Sequence, residues 1–375
     1  MSNIFLDFHA IHPVGPANIN RDDTGSPKST ELGGVRRARV SSQAWKRAIR
    51  NEFAQILDAS ELGERTLRAI DRVAAKIVEK RDDFAESAEQ MAIDVLEAAG
   101  IKKKELKKKD SDEDQKPLYA TTYLLFLARR QIEALADLAI EAADEGAKVN
   151  KKAAKAALND EHSIDIALFG RMIADAADLK ADAACQVAHA ISVHPLETEF
   201  DYFTAVDDNQ AEDNAGAGML GTIEFNASVF YRYATINLSG LLENLGSTEA
   251  AKRAVAAFAQ AFATSMPTGK QNTFANRTRP ELLILSVRDD QPVSFVDAFE
   301  DAVVAKTGRI TQATKQLVDF AKEADEAYGS TPTNYYLAIG GAAKGDAKTA
   351  LSDYGTSCTL EEIVNHAQSV VPEEG

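Results

Sequence analysis

The chain has 375 residues, 45% of them hydrophobic, and a formal net charge of −16. That size supports one large or two smaller globular cores, and the negative field excludes a general affinity for polyanions, so nucleic acid would need a local cationic groove. Two distant cysteines, Cys185 and Cys358, with no Cys/His cluster around them, indicate neither a disulfide framework nor a metal site.

Charge is unevenly spread. The first 50 residues hold eight basic and four acidic side chains, a net +4, which leaves −20 for the other 325. "NIFLDFHAI" (3 to 11) reads as a strand, and the Pro/Gly/Asn-rich "HPVGPANINRDDTGSPKSTELGG" reads as a long loop. The segment "GGVRRARVSSQAWKRAIR" (33 to 50) carries six basic side chains and no acidic one. Within it Trp45 and Ile49, followed by Phe53 and Ile56, recur at helical spacing behind Ser41 and Ser42, so a serine caps an amphipathic helix. Arg36, Arg37 and Arg39 therefore precede a helix N-terminus, whose unpaired N–H groups and dipole favour anions. The two serines serve as caps alone, or as caps that also donate to a phosphate.

From about 60 to 190 the composition turns to Ala, Glu, Lys, Asp and Leu, which predicts a large helical region. "KKKELKKKDSDEDQK" (102 to 116) reads as a solvated loop, and "LYATTYLLFLA" as a buried helix too short to span a membrane. With no apolar run of about 18 residues, and Asp7, His9 and His12 where a signal peptide needs continuity, a cytoplasmic protein with no membrane partner is expected.

After 190, "DYFTAVDDNQAEDNAGAGMLGTIEF" predicts a hairpin leading into the strand "VFYRYATINL". "STEAAKRAVAAFAQAFATSM" predicts a helix and "LLILSV" a buried strand. "SFVDAFEDAVVAKT" and "ITQATKQLVDFAKEADEAY" predict two more helices. The pattern is α+β, a ferredoxin-like (RRM-like) unit carrying a helical insertion.

Eight motifs, in order, carry a family resemblance: "NRDD", "GGVRRARVSSQAWKRAIR", "DIALFGRM", "DAACQVAHAIS", "DYFTAVDD", "LGTIEF", "VFYRYATINL" and "GKQNTF". Together they resemble the CasC family, the RNA-binding backbone subunit of the type I-E CRISPR complex Cascade. The resemblance runs from residue 1 to about 325 and is weaker over 60 to 160. It implies an RRM-like palm (1–59 and 227–375), helical fingers (60–190) and a hairpin thumb (191–226). It also implies partners: guide RNA, target DNA through that guide, further copies of the chain and other Cascade subunits.

A protein that holds a guide without reading it needs cations, hydroxyl or amide donors and a helix N-terminus aimed at one strand. The expected RNA-binding residues are Arg36, Arg37, Arg39, Ser41, Ser42, Gln43, Lys46 and Arg47. The resemblance adds Asn20, Arg21 and Asp22 of the "NRDD" loop, Lys28 beyond it, Arg171 and Met172, Phe203, and Lys270, Gln271 and Asn272. Met172 either wedges between bases or packs; Phe203 either stacks on a displaced nucleotide or fills a core.

No catalytic centre, cofactor or metal is expected. His9 and His12 flank the end of the first strand, as an acid/base pair or as structural residues. Two other readings remain: a metal-assisted ribonuclease using Asp22 or Asp23, and an acidic scaffold protein whose basic patch docks an acidic partner.

Overall fold

The computed structural model describes residues 3–106, 118–160, 162–172, 179–205 and 219–373. The chain forms two compact units. One comprises Met1–Glu52, Gln186–Ile236 and Val255–Val370; the other comprises Phe53–Cys185, Asn237–Ala254 and Val371–Gly375.

The first unit is built on a large mixed sheet. Its centre is the strand Phe5–Ala17, in which Leu6 to Ile11 are buried without interruption, as a strand covered on both faces requires. It pairs antiparallel with Leu282–Arg288, from Phe5 opposite Arg288 to Ile11 opposite Leu282. The strand outruns the sequence expectation by six residues. Pro13 and Pro16 are tolerated because they fall beyond the ladder with Leu282–Arg288, which ends at Ile11.

The strand order is Thr356–Ser357, Thr333–Ala338, Leu282–Arg288, Phe5–Ala17, Met219–Asn237, Ala190–Ser192, Val35–Val40 and Ser29–Leu32. Ile11, Ile284 and Tyr231 share a core with Phe295, Phe299, Leu317 and Val318, the last two from the helix Arg309–Tyr328. Phe8 instead packs against Phe258 and Phe262, with ring centroids 5.4 and 5.7 Å away. A buried charge network accompanies this core: Arg288 lies 3.3 Å from Asp7 and 2.6 Å from Asp325, and Asp7 accepts from Tyr233 Oη–H at 3.1 Å and from the Val293 N–H at 2.8 Å.

The hairpin exists as expected in its arms. Glu199–Ala205 runs antiparallel to the start of Met219–Asn237, from Glu199 opposite Phe225 to Ala205 opposite Met219. Its centre, 206–218, lies outside the described residues, as do residues 107–116 of the lysine-rich run.

In the second unit the helices Ala69–Lys80, Ala88–Ala98 and Arg129–Asp144 enclose Val73, Ile77, Leu96 and Leu135. The stretch "LYATTYLLFLA" is not helical. It forms the strands Tyr119–Thr121 and Leu125–Ala128, which pair with Lys103–Glu105 and Gly63–Thr66. Its Tyr and Thr residues suit a pleated, half-buried surface, and partners distant in sequence supply the ladder. "SFVDAFEDAVVAKT" likewise yields only the short 3₁₀ turn Val296–Phe299. No helix among the described residues is long and apolar enough to cross a membrane.

Candidate nucleic-acid interface

The basic segment is a strand followed by a helix. Val35–Val40 pairs with Ser29–Leu32, Ala38 opposite Ser29 and Arg36 opposite Glu31. Consecutive strand residues point to opposite faces, so Arg36 and Arg37 diverge. Arg36 is exposed, its Nε donating to Ser29 Oγ at 3.0 Å. Arg37 is fully buried. Its guanidinium donates to the carbonyls of Ser192, Phe299 and Glu300 at 3.1, 2.9 and 3.2 Å. The expectation that Arg37 faces phosphate is corrected: the guanidinium is buried inside the unit, with Nη1 and Nη2 given to three converging carbonyls.

The helix α1 (Ser42–Ile56) follows. Ser41, buried, is its cap, accepting the Ala44 N–H on Oγ at 3.3 Å. The Ser41 N–H donates to Asn20 Oδ1 at 2.8 Å, so Asn20 braces the helix start. Gln43 and Arg47 are exposed, Ser42 and Lys46 half-buried. On the inner face, Trp45 lies under the guanidinium of Arg232, 3.7 Å from ring centroid to Cζ.

Arg232 is buried, contacts His12 Nδ1 at 2.9 Å and donates to the Phe262 carbonyl at 2.8 Å. Burial brings its pKa down to about 9. Because arginine only donates, His12 Nδ1 accepts, and Nε2 carries the proton it gives to Thr278 Oγ1 at 3.1 Å. His12 is thus a strut rather than an acid/base group. His9 is likewise committed through Nδ1, to the Tyr231 hydroxyl at 2.9 Å.

The "NRDD" loop is closed by its own side chain. Asp22 Oδ1 accepts from the Thr24 N–H at 2.9 Å, the Thr24 hydroxyl at 2.7 Å and the Ser26 N–H at 3.0 Å, and these bonds, that of the Thr24 hydroxyl foremost, hold its carboxyl below the usual range. Arg21 beside it is exposed. Lys28 donates its N–H to the Asn20 carbonyl and accepts from the Arg39 N–H, both at 2.9 Å. Asn20, Lys28 and Arg39 thereby line one narrow cleft, with Pro27 and Asn226. Asn18, buried, ties this loop to the hairpin base, donating to the carbonyls of Gly25 and Glu224 at 3.0 and 2.8 Å.

The "GKQN" turn comes to the same place. Gly269 lies against the backbone of Ile19, where a Cβ would sit 2.4 Å from the carbonyl oxygen. Lys270 follows with φ 53°, a left-handed conformation uncommon outside glycine. Lys270 and Gln271 are half-buried and Asn272 is exposed. Phe274 packs on Phe225 of the hairpin at 5.4 Å between centroids.

Phe203 stands opposite Gly221 and covers it; a Cβ on Gly221 would be 2.4 Å from the Phe203 ring. The other face of the hairpin is open and carries Phe200 and Tyr202, each 65% exposed, and Leu220, 59% exposed, among Thr204, Thr222 and Glu224.

Arg171 belongs to the second unit and is buried there. It donates to the carbonyls of Leu158 at 2.7 Å and Leu179 at 3.0 Å and to Gln131 Oε1 at 3.2 Å, and burial lowers its pKa to about 10. The expectation that its side chain holds RNA is corrected on the same ground as for Arg37. Its neighbour Met172 is 81% exposed.

Sequence reading missed His189, Asn18 and Arg232. His189 is exposed and its Nδ1 accepts the Ser42 N–H at 3.2 Å, at the mouth of the helix. Its motif "DAACQVAHAIS" was legible, but nothing local set it beside residue 42. Among the described residues no three His, Cys, Asp or Glu side chains gather to hold a metal.

The family model described as CT1975-like protein matches residues 6–366. The chain belongs to the CT1975-like family. Two solved chains are similar to this CT1975-like protein over nearly their full lengths. One, from a structure described as a CRISPR RNA-guided surveillance complex, pre-nicking, is 35% identical, with TM-score 0.85 over 98% of this chain and 100% of its own. Another, from a CRISPR RNA-guided surveillance complex, is 31% identical, with TM-score 0.73 over 96% and 99%. No curated protein sequence matches the CT1975-like chain.

Proposed function

We propose that the chain is a non-catalytic, cytoplasmic backbone subunit of a CRISPR surveillance complex, of the CasC, type I-E kind. Several copies line up along one guide RNA, hold its phosphates and present the spacer for pairing with target DNA, beside the complex's other subunits. The observation that carries the reading is the full-length match, at 35% identity and TM-score 0.85, to a chain of an RNA-guided surveillance complex.

The local chemistry agrees with it. Arg36 and Arg39 precede α1, and Gln43, Lys46 and Arg47 lie in its first two turns, with Asn20 and Lys28 lining one cleft with Arg39 and the 270–272 turn anchored through Gly269 on Ile19. Such an array binds a strand through its backbone rather than its bases. Counting only Phe5–Ala17, Ala190–Ser192, Met219–Asn237 and Leu282–Arg288, the strands stand in spatial order 4-1-3-2, which supports an RRM-like palm. The hairpin is then the thumb. Asp22 closes its own loop, which does not favour Asp22 as the centre of a ribonuclease.

Isolating the complex and sizing its nucleic acid tests this. RNA of uniform length, released by high salt, is the expected result; a complex free of RNA, or one holding RNA that it cleaves on adding a divalent cation, would overturn the reading.

A further inference from the structure

His189 immediately precedes the strand Ala190–Ser192, whose pairing with Val35–Val40 sets Arg39 opposite Ile191 and Val40 opposite Ala190. That register brings the imidazole to the start of α1. Nδ1 accepts the Ser42 N–H at 3.2 Å and has Arg39 Nη1 at 3.4 Å. Both neighbours only donate, so Nδ1 keeps its lone pair and the neutral ring carries its proton on Nε2. The charged groups acting on it, Arg39 and Lys28, are both cationic; with partial burial as the larger cause, they hold the imidazole below its ordinary pKa. The side chain is exposed beside Arg39 and Lys28, two cations of the sign that attracts an anion.

We infer that His189 is an RNA-binding residue of an unusual kind in this groove, an uncharged donor whose Nε2–H bonds a guide-RNA phosphate already attracted by Arg39 and Lys28. The inference rests on the proposed guide-RNA function. Protonating Nδ1 would break its bond from Ser42 and oppose the Arg39 charge, so the ring binds as the neutral tautomer. A neutral donor adds affinity without neutralising a phosphate, and so without releasing a counterion. Its removal therefore differs in kind from the removal of an arginine.

The test uses the full chain and a fluorescein-labelled single-stranded RNA, with dissociation constants measured over a salt series at neutral pH. His189→Ala is expected to bind about tenfold more weakly with an unchanged slope of log affinity against log salt. Arg39→Ala is expected to lose affinity and to flatten the slope by about 0.7.

Two further variants separate binding from helix capping. His189→Gln returns an N–H near the Nε2 position and is expected to recover most of the affinity. His189→Asn places its amide near the Nδ1 position, one methylene short of carrying an N–H to the Nε2 position, and is expected not to. Unchanged affinity in His189→Ala, a slope reduced as for Arg39→Ala, or rescue by Asn rather than Gln would each overturn the inference. Failure of the unaltered chain to bind the RNA would instead overturn the guide-RNA reading beneath it.

Discussion

Gly33 lies directly against the carbonyl of Glu300. A Cβ there would sit 1.9 Å from the oxygen, and the same oxygen accepts from Arg37 at 3.2 Å. With φ at +59°, Gly33 turns the chain between Ser29–Leu32 and Val35–Val40 where only glycine fits. The hairpin that carries the exposed Arg36 is therefore pinned from below at two adjoining points.

Arg37→Ala should cost about 3 kcal/mol, because it leaves three interior carbonyls without donors. Urea unfolding measures this. In whatever fraction remains folded, the salt dependence of RNA binding should match the wild type, since Arg37 does not meet solvent. Arg36→Ala should do the reverse, with stability changed by under about 0.5 kcal/mol and RNA held more weakly.

Replacing Arg36, Arg39 and Arg47 together by Ala should lower the slope of log affinity against log salt by about 2, at roughly 0.7 per lost contact to single-stranded RNA. The loss should be equal for RNAs of unrelated sequence, as expected when contacts go to phosphates. A slope that stays at the wild-type value would remove these side chains from the RNA groove.

The exposed hairpin face of Phe200, Tyr202 and Leu220 is apolar enough to mark an interaction surface, and a neighbouring copy on the same RNA is the occupant that the proposed function supplies. Phe200→Ser with Tyr202→Ser should leave the melting temperature within a degree or two while reducing the number of copies per RNA, read as mass by light scattering. An undiminished mass would show that the face does not join copies.

Acid should destabilise the first unit. His9, His12 and His194 are buried there, and burial foremost lowers all three, His9 to about 3 and His194 to about 4. They are protonated in the unfolded chain below about pH 6.5 but not in the fold. The stability their neutral forms confer is present above that pH and is lost as pH falls toward their folded values. Asp7 works oppositely. Burial raises its pKa to about 6, so between there and its unfolded value the fold holds the extra proton. At pH 5 His9 and His194 each take up about one proton on unfolding and Asp7 releases about one; the net of about one proton, to which the lowered His12 adds, means that stability should fall by at least about 1.4 kcal/mol per pH unit. Melting curves between pH 7 and pH 5 measure this, and His194→Gln should reduce the slope by about one proton; a melting temperature flat across that range would contradict it.

Local patterns were legible wherever a residue's neighbours along the chain decide its conformation. Trp45 and Ile49 repeat at helical spacing behind Ser41, and Ser41 is the cap of α1. "LLILSV", the helix at 309–328 and the arms of the hairpin follow the same logic, each conformation coming from its own period. "LYATTYLLFLA" did not, because strands need partners, and its partners lie at residues 103–105 and 63–66.

The site divides along the same line. The sequence by itself determined that a cationic stretch precedes a helix N-terminus, since helix capping and charge density are properties of contiguous residues. It could not distinguish Arg36 from Arg37, two identical side chains one position apart. Only the tertiary structure decided that Arg37 turns inward, where carbonyls 155 and 262 residues away take up its donors. It likewise decided that His189, 147 residues from Ser42, closes the mouth of the helix. Hydrogen bonding is directional and short-ranged, so which donors stay available to a ligand is settled by the atoms that folding brings within about 3 Å, and a linear pattern carries no record of them.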